Sequence, residues 1–228
     1  SSCCYWVSGV ILHHTKGAWQ AVSSPTANAL FSVYMVSASE GWAVGLSGTI
    51  LHYTEGAWQA VSSPTGNSLY SVYMVSASEG WAVGYSDILH YTGGAWQVTA
   101  PGGSLESVYM LSASDGWAVG HAGRIMHYTD GTWQEVASPT TKDLESVYMV
   151  SASEGWAVGE SGTILHYSGG AWQTVSSPTP NQLLSVYMVS PSEGWATGRL
   201  GTILHYSLPP TPAFSVYAPL LFRNSSGW

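Results

Sequence analysis

The sequence Ser-Val-Tyr-Met-Val-Ser-Ala-Ser-Glu-Gly-Trp-Ala-Val-Gly occurs unchanged at residues 32–45, 71–84 and 146–159, and near copies occupy residues 107–120 and 185–198. The tryptophan of this motif recurs at steps of 39, 36, 39 and 39 residues. A degenerate sixth copy opens the chain, with its tryptophan 36 residues before that of the next copy. A recurrence of about 40 residues indicates a repeat architecture, in which each unit packs only against its neighbours.

Two further motifs accompany each repeat. Ile-Leu-His-Tyr or a close variant follows all six copies, and Gly-x-Trp-Gln follows five of them. Each unit thus holds four short runs of β-branched and aromatic residues bounded by Gly, Ser, Pro, Asp or Asn, which is typical of strands joined by turns. We therefore predict an all-β protein, a six-bladed β-propeller of four-stranded antiparallel blades.

Apolar residues at consecutive positions indicate that both faces of each blade are buried. Because side chains alternate along a strand, Val72 and Met74 should face one neighbouring blade, and Tyr73 and Val75 the other. The repeated tryptophans are expected to pack between blades, each burying about 150–250 Å². The histidines of Ile-Leu-His-Tyr are expected to be hydrogen-bonded structural residues, because successive blades place them too far apart to share one metal ion.

These units resemble the repeats of the Ycf48-like propellers, a branch of the BNR (Asp-box) superfamily. The resemblance rests on Gly-Trp-Ala-Val-Gly, Gly-Thr-Ile-Leu-His-Tyr and Thr-x-Gly-x-Trp, and it covers residues 6–206. It implies that Gly-x-Trp starts the outermost strand of each blade and that Ser-Val-Tyr-Met lies in the innermost strand. The family includes photosystem assembly factors with basic patches, whereas this chain has only three arginines.

The two ends of the chain predict how the propeller is completed. Residues 1–9 align without gaps on residues 37–45, so the first blade is expected to lack its innermost strand. We divide the chain into propeller repeats (1–207), a Pro-rich linker (208–213) and a C-terminal strand or tail (214–228).

Within the tail, a short strand is expected to complete the first blade of its own chain or that of a neighbouring subunit. The residues expected to form it are Ser215, Val216, Tyr217, Leu220 and Leu221. The Pro/Thr linker and the Tyr-x-Pro-Leu ending also resemble the ends of certain secreted bacterial proteins.

The only cysteines, Cys3 and Cys4, are adjacent and align with a turn between the first two strands of a blade. They are interpreted as unreactive thiols, as a vicinal disulfide, or as intermolecular disulfides that an oxidising compartment would preserve. A cysteine pair alone cannot supply the ligands of a metal site. Asn224, in Asn-Ser-Ser, is the only N-glycosylation sequon.

Charge excludes two classes of partner. Five Lys and Arg against thirteen Asp and Glu give a formal net charge of -8, which argues against nucleic-acid binding and against an anionic membrane surface. No apolar run approaches the roughly 20 residues of a membrane-spanning helix. No Gly-rich phosphate loop occurs, and we expect no cofactor and no metal.

The acidic residues recur identically from blade to blade, whereas an active site normally breaks the symmetry, so we do not expect an enzyme. Four residues do break the repeat, all between the second and third strands of a blade. These candidate ligand residues are His121, Arg124, Glu160 and Arg199.

Two hypotheses of function remain. The first is a secreted, extracellular structural subunit that self-associates, head to tail, into a filament or surface layer; low charge, incomplete end blades and the strand-like tail favour it. The alternative is a monomeric binding module that recognises a glycan or a protein through the loops on one face of the propeller.

Overall fold

The structure, a computed structural model, describes residues 9–208. Across this range the chain forms twenty-one strands arranged in six antiparallel sheets, which confirms the predicted six-bladed β-propeller. No helix in residues 9–208 has the length and apolar character needed to cross a membrane.

The blades follow one another in chain order. Blade 1 contains β1 (Ile11–Thr15) and β2 (Ala18–Val22). Blade 2 contains β3 (Leu30–Ser37), β4 (Glu40–Gly45), β5 (Ile50–Thr54) and β6 (Ala57–Ala60). Blade 3 contains β7 (Leu69–Ser76), β8 (Glu79–Gly84), β9 (Asp87–Thr92) and β10 (Ala95–Pro101). Blade 4 contains β11 (Leu105–Ser112), β12 (Asp115–Gly120), β13 (Ile125–Thr129) and β14 (Thr132–Glu135). Blade 5 contains β15 (Leu144–Ser151), β16 (Glu154–Gly159), β17 (Ile164–Ser168) and β18 (Ala171–Val175). Blade 6 contains β19 (Leu183–Ser190), β20 (Glu193–Gly198) and β21 (Ile203–Ser207).

Tight hairpins join the third and fourth strands of blades 1 to 5. In blade 2, for example, Glu55 and Gly56 connect β5 to β6 with φ values of 52° and 80°. Two successive residues with positive φ make a type I′ turn, whose twist matches that of the flanking strands. The repeated Gly at the second position accommodates this conformation without steric cost.

The first strand of each complete blade is its innermost strand, as predicted. The first strands of consecutive blades contact one another, from β3 through β7, β11 and β15 to β19. A side-chain hydrogen bond links each neighbouring pair: the Val72 N–H, for example, donates to the Ser32 hydroxyl at 3.2 Å. The same bond recurs at Val108–Ser71, Val147–Ser107 and Val186–Ser146.

Tyrosines of the innermost strands form a second link between blades. Tyr34, Tyr73, Tyr109, Tyr148 and Tyr187 follow one another with ring centroids 4.8–5.1 Å apart. Burial, together with the neighbouring hydroxyls of Tyr109 and Tyr187, raises the pKa of Tyr148 to about 12. Tyr148, within this tyrosine ladder, therefore stays uncharged at neutral pH.

Blades 3, 4 and 5 each bury one face against the preceding blade and one against the following blade. In every blade we call the first of these the backward face and the second the forward face. Val72 and Met74 pack with blade 2, whereas Tyr73 and Val75 pack with blade 4, as the alternation predicted. The tryptophans lie between blades, again as predicted. Trp42 on the forward face of blade 2 is 2% exposed and meets Trp96 of blade 3 edge to face, with ring centroids 5.4 Å apart.

A methionine and a glycine fit together inside each complete pair of inner strands. Met35 of β3 lies directly across from Gly41 of β4, and its sulfur occupies the space that a β-carbon at Gly41 would need. The same Met–Gly arrangement occurs in all five repeats between Leu30 and Ser207. A side chain larger than glycine at this position therefore requires a smaller partner than methionine.

The repeated histidines have a structural role. The His127 ring stacks on Trp117 with centroids 4.0 Å apart, and its Nε2 lies 2.9 Å from Asp115 Oδ1. His90 makes the equivalent contact with Glu79 at 3.4 Å, so the predicted hydrogen-bonded role is confirmed in these two blades. In three other repeats the same atoms approach to 3.5–3.6 Å, at His52–Glu40, His166–Glu154 and His205–Glu193.

Candidate interaction surfaces

The forward face of blade 6 is exposed. It carries Tyr187, Val189, Trp195 and Ile203, the residues that the following blade covers in the other repeats. Trp195 is 43% exposed and Ile203 67%, whereas Trp42 and Ile50, their equivalents in blade 2, are 2% and 1% exposed. Contiguous apolar surface of this kind marks an interaction site more often than isolated exposed residues do.

The backward face of blade 1 is exposed as well. Leu12 is 55% exposed and Trp19 69%, whereas the equivalent Leu89 and Trp96 of blade 3 are almost fully buried. His14 lies against Trp19 with centroids 5.2 Å apart, as Tyr91 lies against Trp96. Blade 1 thus presents the residue types that a preceding blade normally covers.

The two exposed faces are the two halves of one interior interface. At interior interfaces a tryptophan of the second strand meets a tryptophan of the next blade's fourth strand, at 79–84° between ring planes. The three pairs are Trp42–Trp96, Trp81–Trp133 and Trp117–Trp172. Trp195 of the second strand of blade 6 and Trp19 of the fourth strand of blade 1 hold the same two positions in the repeat. Within residues 9–208 these two tryptophans do not contact each other.

A cleft of about 950 Å³ lies between blades 1 and 2. Its walls are β1 and β2, including Ile11 on the forward face and Leu12 and Trp19 on the backward face, and the backward face of blade 2, including Leu30 and Met35. In the complete blades this space is filled by the two inner strands of the preceding blade. Residues 9–208 contribute only β1 and β2 to blade 1, so its two inner strand positions face this cleft.

A smaller cavity of about 170 Å³ lies between blades 5 and 6, beside Trp156, Ile164 and Tyr206. It occupies the place where a fourth-strand tryptophan packs in blades 3 to 5. Residues 183–208 give blade 6 three strands and therefore no fourth-strand tryptophan at this interface.

Arg124 supports its own loop. Its Nη1 donates to the carbonyl oxygen of Gly102 at 2.9 Å, and its Nη2 lies 3.4 Å from Glu135. In blade 2 the residue equivalent to Arg124 is Thr49, whose hydroxyl accepts a hydrogen bond from the Asn28 side chain at 2.8 Å. Arg124 therefore replaces a repeated loop contact, and this argues for a structural role.

His121 joins Glu106 of β11 to Asp143, which directly precedes β15. Its Nε2 lies 3.4 Å from Glu106, and its Nδ1 lies 3.5 Å from Asp143, which also accepts the Ala122 N–H at 2.8 Å. Burial and the nearby Glu145 carboxylate raise the pKa of Glu106, while His121 opposes this shift. The result is a half-exposed, acidic patch at the end of the propeller where the innermost strands begin.

The other two candidate loop residues lie on separate blades. Backbone hydrogen bonds hold Glu160 to Asp143 and Arg199 to Gln182, at 2.8 and 2.9 Å. Among residues 9–208, neither side chain takes part in an ion pair. The four candidates therefore occupy the predicted loops without forming one common site.

Sequence reasoning missed Glu106 and Asp143 as partners of His121, and it missed Trp19 and Ile203 as exposed residues. A signal for Glu106 was present: the second residue of the inner strand varies from repeat to repeat, as Phe31, Tyr70, Glu106, Glu145 and Leu184. Variation at one position of an otherwise constant strand marks a place that interior packing does not fix.

The remaining sequence-predicted residues lie outside residues 9–208. They are Cys3, Cys4, Ser215, Val216, Tyr217, Leu220, Leu221 and Asn224. Within the described range, no three His, Cys, Asp or Glu side chains come together in a way that could hold a metal ion.

The fold is shared with solved propeller structures. YCF48 from Cyanidioschyzon merolae aligns over 85% of this chain and 71% of its own, with 20% identity and a TM-score of 0.67. A virginiamycin B lyase from Staphylococcus aureus, solved with quinupristin, aligns over 89% and 78%, with 14% identity and a TM-score of 0.72.

A further structure, of YCF48 bound to a D1 peptide, aligns over 84% of this chain with 16% identity and a TM-score of 0.48. No family model matches the chain, and no curated protein matches its sequence. The likeness to YCF48 agrees with the expected resemblance at the level of the fold, while membership of the BNR superfamily stays a prediction. This chain has the β-propeller fold.

Proposed function

We propose that this chain is a non-catalytic, extracellular structural subunit that self-associates head to tail, with the forward face of blade 6 against the backward face of blade 1 of the next subunit. The observation that carries the proposal is the separated pair Trp195 and Trp19, both exposed on faces that match in residue type. A contact between two different faces of identical subunits extends into an open filament unless rotation closes it.

The chemistry of the two faces supports this contact. Tyr187, Trp195 and Ile203 on one side and Leu12 and Trp19 on the other are large and apolar. Burial of apolar surface contributes about 25 cal/mol per Å², and an edge-to-face aromatic pair adds about 0.5–1.5 kcal/mol. With only 8% charged residues in the chain, few like charges oppose association.

A non-catalytic role is proposed because the described acids and histidines mostly serve the fold. The Glu–His and Asp–His contacts recur in five blades beside a stacked tryptophan, which is the pattern of a structural element. The arginine that breaks the repeat, Arg124, is occupied by Gly102 and Glu135.

The second candidate function is a binding module for a protein or a glycan. The acidic patch of His121, Glu106 and Asp143 favours it, because these residues break the symmetry of the propeller at one end of its axis. Such a patch would suit a positively charged side chain of a protein partner.

Negative-stain electron microscopy of the full chain, with and without reductant, tests the proposed function. We expect regular fibres with a repeat of one propeller. Loss of fibres in reductant, and in a Cys3→Ser/Cys4→Ser variant, would assign these cysteines to the contact. Isolated particles of 24.2 kDa in every condition would contradict the proposal and leave the binding module.

A further inference from the structure

Blade 1 departs from the repeat at one residue of its backward face. The third strand of blades 2 to 6 has a tyrosine directly after its histidine. These tyrosines are Tyr53, Tyr91, Tyr128, Tyr167 and Tyr206. In β1 the same position is His14, so an imidazole, which titrates near neutral pH, replaces a phenol, which does not.

The interior interfaces show what this position contacts. The tyrosine of the following blade lies against the second-strand tryptophan of the preceding blade, with ring centroids 4.6–4.8 Å apart and ring planes 52–55° apart. The four pairs are Trp42–Tyr91, Trp81–Tyr128, Trp117–Tyr167 and Trp156–Tyr206. Trp195 is the second-strand tryptophan of blade 6. The proposed head-to-tail contact therefore places His14 of one subunit against Trp195 of the partner subunit.

A carboxylate of the preceding blade also acts on this position. Burial first, and then the charge of Glu79, raise the pKa of Tyr128 in the following blade. Burial and then Glu154 raise the pKa of Tyr206 in the same way. Both acids stand two residues before the tryptophan of their motif, as Glu193 does in blade 6.

Within residues 9–208, His14 has no acidic partner on its own chain. The titratable or charged groups on its hairpin are His13 and Lys16, and across the cleft Tyr53 lines the same cavity. Glu55, in the hairpin that follows Tyr53, makes no ion pair with His14. A positive charge on His14 is therefore not neutralised by the described part of its own subunit.

The forward face of blade 6 offers the missing carboxylate. The side chain of Glu193 is 51% exposed, and its Oε1 lies 3.6 Å from Nε2 of His205, the other titratable group beside Trp195. Arg199, the only Lys or Arg in residues 183–208, follows the opposite end of β20 from Glu193. No described cation of blade 6 thus competes with a protonated His14 for this carboxylate at that end of the strand.

We propose that His14 makes head-to-tail association responsive to pH, because its protonated imidazole forms an ion pair with Glu193 of the partner subunit while its ring packs on Trp195. The inference rests on the proposed function for the contact between the two faces. The ion pair favours the charged imidazole in the assembled form more than in the separate subunit. Association therefore takes up a proton and tightens as the pH falls through the range in which histidine titrates, about pH 8 to 5.

A dimer with a single contact tests the pairing. One subunit carries Trp19→Arg and offers only its blade 6 face, and the other carries Trp195→Arg and offers only its blade 1 face. Sedimentation equilibrium at about pH 8 and about pH 6 measures the Kd of the mixed dimer. We expect the Kd to be about threefold to tenfold lower at the lower pH, the effect of one partly exposed ion pair.

The placement of one substitution supplies the matched control. His14→Tyr in the Trp195→Arg subunit lies in the contact, restores the residue of the other blades and should abolish the change in Kd with pH. His14→Tyr in the Trp19→Arg subunit lies outside the contact and should leave that change intact. Both mixtures contain the same substitutions, so a general effect on folding, or titration of the other histidines, would appear in both.

A second pair of variants tests the carboxylate. Glu193→Gln in the Trp19→Arg subunit should also abolish the change in Kd with pH. Glu154→Gln in the same subunit alters the equivalent residue of blade 5, which is covered by blade 6 of its own chain, and should preserve the change.

The outcomes separate this inference from the proposed function. A mixed dimer with the same Kd at both pH values, or with a change that survives His14→Tyr in the contact, would overturn the role of His14 and leave head-to-tail association standing. Absence of the mixed dimer at both pH values would contradict the proposed function, and the role of His14 would be lost with it.

Discussion

Trp42 and Trp195 occupy the same position of the same motif, yet the first is buried between blades 2 and 3 and the second is 43% exposed. Both stack on a histidine of the third strand, with centroids 4.1 and 4.2 Å apart. The sheets that carry them pair in the same register. The comparison between interior and end blades therefore separates what a blade determines itself from what its neighbour determines.

A blade sets its own strands, turns and histidine contacts, whereas burial of its apolar faces requires a blade on each side. This is the behaviour expected of repeat proteins, in which stability is a sum of unit terms and nearest-neighbour interfaces. In blades 1 and 6 the described strands keep the contacts within a blade, but within residues 9–208 each of these blades lacks one interface with a neighbouring blade. Adding that interface is the physical reason for the proposed association.

The largest effect should come from truncating a tryptophan in each region. Trp117→Ala removes an indole packed against Trp172 of blade 5 and should lower the free energy of unfolding by about 3–5 kcal/mol. Trp195→Ala should cost about 1 kcal/mol in the dissociated protein, because much of this indole is already in contact with solvent. Urea unfolding of both variants at a concentration without association measures the difference.

Equal losses for the two variants would show that the forward face of blade 6 is covered within a single chain. The account of the end blades would then be wrong, although the account of the interior blades would stand.

A smaller difference in stability is expected between alanine substitutions at two glycines that occupy the same turn position in different blades. Gly162 and Gly201 both have φ +72°, so alanine at either carries the strain of a left-handed conformation, of order 1 kcal/mol. At Gly162 the new methyl group would also collide with the carbonyl of Thr179, whereas the space around Gly201 is open among the described residues. Gly162→Ala should therefore cost about 1–3 kcal/mol more than Gly201→Ala.

Thermal unfolding of the two glycine variants, monitored by circular dichroism, checks this order. The same Tm loss at both positions would mean that a following loop already packs on Gly201.

The fold could be predicted because the repeated motif fixes it locally. Apolar pairs such as Val72 and Met74 alternate with Tyr73 and Val75, and the structure places each pair against the expected neighbour. The four loop residues were also expected at the right place. Their partners were not, because Glu106 lies in β11 and Asp143 in the loop before β15, and no local sequence pattern encodes their approach to His121.

Exposure could not be predicted from the motif either. The sequence around Trp195 is nearly the same as that around Trp81, and their burial differs because, among residues 9–208, a following blade packs only on Trp81. The hydrogen bond from Arg124 to Gly102 was not predictable either, because the two residues are 22 positions apart in the sequence.

The most direct test of the central claim is sedimentation velocity on a mixture of two variants that each disable one end face. Trp195→Arg removes the forward contact of blade 6, and Trp19→Arg removes the backward contact of blade 1, so each variant alone should sediment as a single chain of 24.2 kDa. Mixed in equal amounts, the intact faces can meet once, and the account predicts a species of twice that mass with nothing larger. A mixture that remains at the mass of one chain would contradict the pairing of the two faces between subunits.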